Sequence, residues 1–345
     1  MSDPAAPLQR AIRALANHES LSEDLAAAVF GAVMRGEASP VQVAALLVGL
    51  RVKGETPDEV AGVARALREA MVRVAADPAH LVDTCGTGGG TVSTFNISTA
   101  AAFVVAAAGG RVAKHGNRSF TSKCGSADVL EALGVNIVLD PESAARVLDT
   151  ARITFLFAPN YHPAMKHVGP VRRELGVPSV MNLVGPLANP AGVQHQVVGV
   201  ADRDRGALLA GALLRLGAAH AMVVHGRAGL DEISPAGITD VWEVRDGRVT
   251  EWQLDPKPLG LEVSDLAVLR GGEPAENARR VERLLEDGTS DAAGIAAVTL
   301  NAGAALYVGG LARTYKEGVV LARETLAGGK ARERLAELKR VSTSG

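Results

Sequence analysis

The chain has 345 residues, enough for one large domain or two unequal ones, and a formal net charge of −2 argues against bulk nucleic-acid binding while leaving room for a local basic patch. Hydrophobic residues make up 47% of it, yet mean hydropathy is only +0.14, and no charge-free run of about 18 apolar residues offers a membrane-spanning helix. Two cysteines without CxxC spacing, Cys85 and Cys124, are too few for a disulfide framework and speak against zinc, and the opening MSDPAAPLQR lacks the apolar block of a secretory signal, so cytoplasmic residence is expected.

The first 75 residues read as helices. Leu8, Ile12 and Leu15 recur at helical spacing, and Ser20 with Glu23 offers a capping box before Leu25, Val29, Phe30 and Val33. Ser39-Pro40 pairs a cap with proline at the first helical position, and Thr56-Pro57-Asp58-Glu59 repeats the signal with Glu in third place. The spacing predicts a small helical bundle over 1–75 whose apolar faces need another segment or another subunit.

From His80 strands alternate with helices. Strands are expected at Leu81–Thr84, Val112-Ala113, Val135–Leu139, Ile153–Phe157, Gln196–Val200 and Ala221–Val224, with helices at Ala100–Ala108, Val129–Leu133, from Asp140-Pro141, and at Ala207–Leu216. This alternation implies an α/β fold with a mostly parallel central sheet flanked by helices and ligands at the carboxyl ends of its strands. Residues 163–190 break the pattern with a helix and a Pro/Gly-rich stretch and are expected to rejoin the helical bundle. The division is then 1–75 with about 163–190 as a helical domain, and 76–162 with 191–345 as the α/β domain.

Three segments suit an anion and a metal. Asp83-Thr84-Cys85 runs into Gly86, Gly88, Gly89 and Gly90, whose backbone N–H groups can turn toward one point, and Thr94 to Thr99 opens the next helix. No Gly-Lys-Ser/Thr follows, and Thr91 replaces the third glycine of a dinucleotide fingerprint, so neither nucleotide motif fits. The plainer alternative is a glycine-rich turn and an ordinary cap. The second segment, Lys114-His115-Gly116-Asn117-Arg118-Ser119, follows the next strand and brings cations and hydroxyls to the same sheet edge, although such charges commonly form a solvated loop. The third, Asp231-Glu232, reads either as a polar turn or, beside a diphosphate, as a magnesium site to which Ser98 adds a hydroxyl. His162 on a loop and Arg172 are candidates for an aromatic or carboxylate substrate, or else a cap and a surface charge; His195 and His220 are taken as structural. No Ser/His/Asp or Cys/His arrangement is readable, so covalent catalysis has no support.

In order, DTCGTGG at 83–89, TFNISTA at 94–100, KHGNRS at 114–119, GSADVLEALG at 125–134, HPAMKHVGPVRRELG at 162–176, NLVGPLANP at 182–190 and DEIS at 231–234 resemble the anthranilate phosphoribosyltransferases, over nearly the whole chain. The resemblance implies a small helical domain, a larger α/β domain, an active site in the hinge between them, and a homodimer joined through the helical domain. It implies magnesium-dependent attack of the anthranilate amine on C1 of phosphoribosyl pyrophosphate. It assigns phosphoribosyl pyrophosphate to Gly86, Gly89, Gly90, Thr94, Asn96, Ile97, Ser98 and Thr99, continued by Lys114, His115, Gly116, Asn117, Arg118, Ser119, Phe120, Thr121, Ser122 and Ser126. Anthranilate falls to Gly86, Asn117 and Arg172 with His115, Tyr161 and His162 nearby, and magnesium to Ser98, Asp231 and Glu232. No acid–base residue is assigned, and no nucleic-acid or membrane partner is expected.

One position departs from the pattern. The family usually carries Asp after the two glycines, where this chain has Gly90, followed by Thr91 where Gly is common. An Asp there would also repel substrate phosphates, so its loss is compatible with activity. Two other readings compete: a pyrimidine nucleoside phosphorylase, which shares the fold but has a different glycine-loop and Lys motif, and a non-catalytic nucleic-acid-binding relative, which should show a basic surface.

Overall fold

The computed structural model describes residues 5–119 and 123–343. Four helices open the chain, α1 (Ala5–Ala16), α2 (Glu23–Met34), α3 (Pro40–Lys53) and α4 (Pro57–Ala70). α3 and α4 start where predicted: Ser39 and Thr56 are the caps, closed into boxes by Gln42 and Glu59. The cap of α2 is corrected from Ser20 to Ser22, whose hydroxyl accepts from Leu25 N at 3.2 Å. Leu21 is buried, with its N–H held by Glu59 at 2.8 Å, so the chain stays extended through it and the helix begins beyond. Ser20 instead accepts from Lys53, and Glu23 pairs with Arg65 at 2.8 Å.

The α/β part runs β1 (Leu81–Gly86), α5 (Ile97–Ala107), β2 (Arg111–Gly116), α6 (Ser126–Ala132), α7 (Pro141–Ala151) and β3 (Ile153–Phe157). Three short helices follow, α8 (Ala158–Tyr161), α9 (Gly169–Leu175) and α10 (Met181–Val184). The chain then returns through β4 (His195–Gly199), α11 (Arg205–Arg215), β5 (His220–Gly226), β6 (Thr239–Arg245) and β7 (Arg248–Leu254). It ends in α12 (Pro274–Asp287), α13 (Ala292–Val308), α14 (Tyr315–Ala327) and α15 (Lys330–Thr343). The sheet order is β3-β2-β1-β4-β5-β6-β7; the first five strands are parallel and the last two antiparallel. The chain first builds outward from β1 to β3, then resumes on the other side of β1 with β4. That reversal opens a crevice at the carboxyl ends of β1 and β4.

Two expectations about strands are corrected. Val135–Leu139 is extended but pairs with no strand. Its alternation is real, with Val135, Ile137 and Leu139 buried and Val138 exposed, but Asn136 N donates to the Ser342 hydroxyl and Asn136 Nδ2 to the Ser342 carbonyl at the end of α15. The β6–β7 hairpin was not predicted, although its signal was there. Asp246-Gly247 forms a two-residue loop with both φ angles positive, 51° and 71°, the conformation that Asp-Gly favours between strands.

Alternation along the strands sends Val197, Met222, Val224 and Val241 to one face of the sheet, in a core shared with α5 and α12–α15. Val198, Ala221, Val223, Trp242 and Val244 face the other side, in a core shared with α11 and the N-terminal helices. Ala164, Val168, Val171, Val180, Met181, Val184 and Leu187 belong to this second core as well. Close approaches rely on small residues: a Cβ on Gly62 in α4 would stand 2.4 Å from the Glu23 carbonyl of α2. No helix among the described residues is long and apolar enough to cross a membrane.

Glu59 ties the helical part together. It is fully buried, pairs with Lys53 at 2.9 Å, and accepts from Leu21 N at 2.8 Å and Thr56 N at 2.8 Å. Glu59→Ala strands the buried Lys53 ammonium, and we predict a loss of about 3 kcal/mol. Urea unfolding of the variant beside the parent checks this; an unchanged midpoint contradicts it.

Candidate active site

Four backbone segments meet at the crevice. The β1 strand ends in the glycine loop, where Gly88 and Gly89 adopt φ of +67° and +84°, a conformation open to glycine and costly for other residues. Thr87 N donates to the Gly199 carbonyl at the end of β4 at 2.9 Å. The loop after β5 then folds back so closely that a Cβ on Gly199 would stand 1.7 Å from the Asp231 carbonyl oxygen. A Cβ on Gly86 would lie 3.1 Å from Asp231 Oδ2, and one on Gly90 3.1 Å from Asp231 Oδ1. The Asp231 carboxylate therefore lies directly against the glycine loop.

At the start of α5, Ser98 N donates to Glu232 Oε1 at 3.2 Å. A carboxylate thus already occupies the anion-favouring end of that helix. Lys114 lies beneath it, its Nζ donating to the Thr84 carbonyl and, at 3.2 Å, to the Ser98 hydroxyl. Burial pulls the Lys114 ammonium below its usual range against the opposing pull of Asp83, Cys85 and Glu232. Burial, with Asp231 beside it, pushes the Glu232 carboxyl up to about 8, and burial also raises Asp231. Glu232 and the Ser98 hydroxyl thus share the start of α5, with Lys114 bonded to that hydroxyl and Asp231 the next carboxylate along the loop. That hard oxygen set suits magnesium, which needs few protein ligands and keeps its waters. Among the described residues no group of three or more His, Cys, Asp or Glu is gathered so as to hold a metal by itself.

The KHGNRS loop is organised by Asp128 of α6. Its Oδ2 accepts from Gly125 N at 2.8 Å and Ser119 N at 3.2 Å, and its Oδ1 pairs with Arg118 at 3.0 Å. Arg118 also pairs with Glu131, and both carboxylates raise its pKa, so its guanidinium is engaged on α6 and turned from the crevice. Asn117 Oδ1 accepts from Arg118 N at 2.7 Å, and Ser126 Oγ donates to the Asn117 carbonyl at 3.4 Å. Gly116 makes room for Ser126, since a Cβ there would stand 2.2 Å from its hydroxyl. Phe120, Thr121 and Ser122 lie outside the described residues.

Other candidates are placed unequally. Thr94 forms a bridge with Arg270, while Ile97 is fully buried and Thr99 nearly so, its Oγ1 without a partner among the described residues. His115 and His162 face each other, Nε2 to Nε2 at 3.2 Å. Burial holds them down to about 3 and about 4, so both rings are neutral at neutral pH and supply no cation. Tyr161 is turned away from the site: it is fully buried, its hydroxyl donating to the Leu139 carbonyl at 2.9 Å. Arg172 pairs with no carboxylate among the described residues; its Nη2 donates to Asn182 Oδ1 at 3.4 Å, and burial lowers its pKa.

Three organising residues carry no assigned role in the sequence, two of them, Asp83 and Asn189, within the quoted motifs. Asp83 is fully buried; it accepts from His115 N at 3.2 Å and Asn189 Nδ2 at 2.8 Å, and burial pushes it up to about 6 against the pull of Lys114. Asn189 also donates to the Ala113 carbonyl at 2.8 Å, clamping the 182–190 stretch to β1 and β2. Asn301 of α13 holds the carboxylate loop, accepting from Ile233 N and donating to its carbonyl, both at 3.0 Å. Only a motif can flag Asp83 and Asn189, and Asn301 carries no local signal at all.

Comparison with known proteins agrees with this arrangement. A family profile described as the glycosyl transferase family a/b domain matches residues 78–332, and its helical bundle domain matches 9–71. The anthranilate phosphoribosyltransferase of Thioalkalivibrio sulfidiphilus is 51% identical over 98% of this chain and 99% of its own length. That of Thiobacillus denitrificans is 48% identical over 97% of each. The crystal structure of the Thermus thermophilus enzyme superposes with a TM-score of 0.90 at 46% identity, covering 97% of this chain and 99% of that one. The Saccharomyces cerevisiae enzyme in complex with PRPP and Mg superposes with a TM-score of 0.88 at 27% identity, covering 99% of each chain. The chain belongs to the anthranilate phosphoribosyltransferase family.

Proposed function

We propose that the chain transfers the phosphoribosyl group of 5-phosphoribosyl 1-pyrophosphate to the amine of anthranilate, giving N-(5-phosphoribosyl)anthranilate and pyrophosphate in tryptophan synthesis. The observation that carries this reading is the convergence, at the reversal of strand order, of a left-handed glycine loop, the start of α5, Lys114 and the Asp231-Glu232 loop. Neither phosphorolysis of pyrimidine nucleosides nor non-catalytic nucleic-acid binding is favoured beside relatives that share the transferase name over nearly the whole chain.

In this reading, Gly86, Gly89, Gly90, Thr94 and Asn96–Thr99 hold phosphoribosyl pyrophosphate, Ile97 and Thr99 through their backbone, and the 114–126 loop continues the site. Ser98, Asp231 and Glu232 hold magnesium, which supplies charge against the diphosphate as it departs. Lys114 acts from below, its ammonium fixing the Ser98 hydroxyl and offsetting the buried carboxylates. Asn117 and Arg172 hold anthranilate, with the neutral His115–His162 pair close by; the amine needs orientation rather than a strong base. Tyr161 and Arg118 act through the packing of the loops. The domain division is the one read from the sequence, 1–75 with 163–190 against the rest. A homodimer through the helical part is supported by the exposed apolar stripe of Val41, Val48 and Val52 on α3, and residence is cytoplasmic.

The test is loss of anthranilate fluorescence on mixing with phosphoribosyl pyrophosphate and magnesium, matched by pyrophosphate release and abolished by EDTA. No loss at any magnesium concentration, or phosphate-dependent release of base from uridine or thymidine, overturns the reading. Arg172→Ala is expected to raise the KM for anthranilate about tenfold or more, with that for phosphoribosyl pyrophosphate little changed. Equal shifts in both would assign Arg172 elsewhere. Gly90→Asp places a second carboxylate against Asp231; we expect turnover to persist while the magnesium concentration for half-maximal rate moves by about threefold or more. Superimposable magnesium titrations would refute this.

A further inference from the structure

Helix α12 lies away from the reacting atoms, yet two of its side chains reach the mouth of the phosphate site. Asn277, nearly fully buried, donates from Nδ2 to Asn96 Oδ1 at 3.0 Å and accepts from Gly272 N at 2.8 Å. Asn96 in turn donates to the Cys124 carbonyl at 3.2 Å, so Asn277 sets the amide that joins the start of α5 to the loop after β2.

One turn further along α12, Arg280 lies over the Phe95 ring, 4.3 Å from its centroid. Its Nε pairs with Asp291 at 2.7 Å, its Nη2 donates to the Val268 carbonyl at 2.8 Å and its Nη1 to the Arg270 carbonyl at 3.3 Å. The segment so held runs beside residues 93–95: Phe95 N donates to the Leu269 carbonyl at 3.0 Å and Gly271 N to the Ser93 carbonyl at 3.1 Å. The approach is tight, because a Cβ on Gly271 would stand 2.4 Å from the Thr94 carbonyl. Four consecutive residues, Ser93 to Asn96, are therefore braced from behind by one helix and the strip it clamps. Asn277 and Arg280 are three positions apart and so share a face of α12. An ion pair that served stability alone would not need a planar fork on two loop carbonyls and a stack on Phe95.

We infer that Asn277 and Arg280 are positioning residues that fix the Ser93–Asn96 backbone for phosphoribosyl pyrophosphate and leave anthranilate binding untouched. The inference rests on the assignment of that stretch to phosphoribosyl pyrophosphate. Arg280→Lys keeps the charge and loses the fork; Asn277→Ala loses the amide; Asp291→Asn is the mildest change, loosening Arg280 while still able to accept from Gly294 N. Calorimetric titration with magnesium phosphoribosyl pyrophosphate in the absence of anthranilate is expected to show about tenfold weaker binding for the first two variants and a smaller loss for Asp291→Asn. In steady state their KM for phosphoribosyl pyrophosphate rises alike, while kcat and the KM for anthranilate stay within about twofold.

Parental affinity in all folded variants overturns the inference, as does a loss shared equally by both substrates, which marks a structural role only. If Arg280→Lys and Asn277→Ala do not fold, Asp291→Asn decides alone by the same split. A parent protein that binds no phosphoribosyl pyrophosphate removes the underlying assignment and the inference with it, an outcome distinct from variants that match a parent that binds.

Discussion

The carbonyl of Asp231 would stand 1.7 Å from any Cβ at Gly199, and the site is built around that close approach. It brings the loop after β5 against the end of β4, which also receives the Thr87 N–H from the glycine loop. A side chain at 199 would push the Asp231-Glu232 loop away from both the glycine loop and the start of α5. The anion cradle and the carboxylates would then be separate surface features. Asn301 fixes the same loop from the far side, so the carboxylates are held between the sheet and α13.

The second constraint is charge. Asp83, Asp231 and Glu232 are each raised by burial, and Lys114 is the ammonium placed among them. Its bonds to the Thr84 carbonyl and the Ser98 hydroxyl keep it below the crevice floor. Carboxylates with raised affinity for protons have raised affinity for a hard cation as well, so in the proposed reading a magnesium ion held by Asp231 and Glu232 would offset their charge. The neutral His115–His162 pair adds no charge to the balance, and Arg172 is half-buried with no carboxylate partner among the described residues.

Much of this was legible in the sequence because it is local. Capping boxes at Ser39 and Thr56, the glycine run at 86–90 and strand–helix alternation each follow from neighbours in the chain. What was missed depends on distant partners. Val135–Leu139 has the alternation of a strand, but its backbone is claimed by Ser342 more than two hundred residues away. The ion pairs of Arg118 with Asp128 and Glu131, and the bond of the Tyr161 hydroxyl to the Leu139 carbonyl, likewise join residues 10 to 22 positions apart. The β6–β7 hairpin is different: Asp246-Gly247 announced it within the sequence, and that signal went unread.

The measurement that bears most directly on the account is a crystal structure with phosphoribosyl pyrophosphate and magnesium bound. The account predicts the diphosphate between the glycine loop and the start of α5, with metal density at Asp231, Glu232 and Ser98. Diphosphate or metal bound away from the β1–β4 crevice, with Lys114 and Glu232 uninvolved, would contradict it.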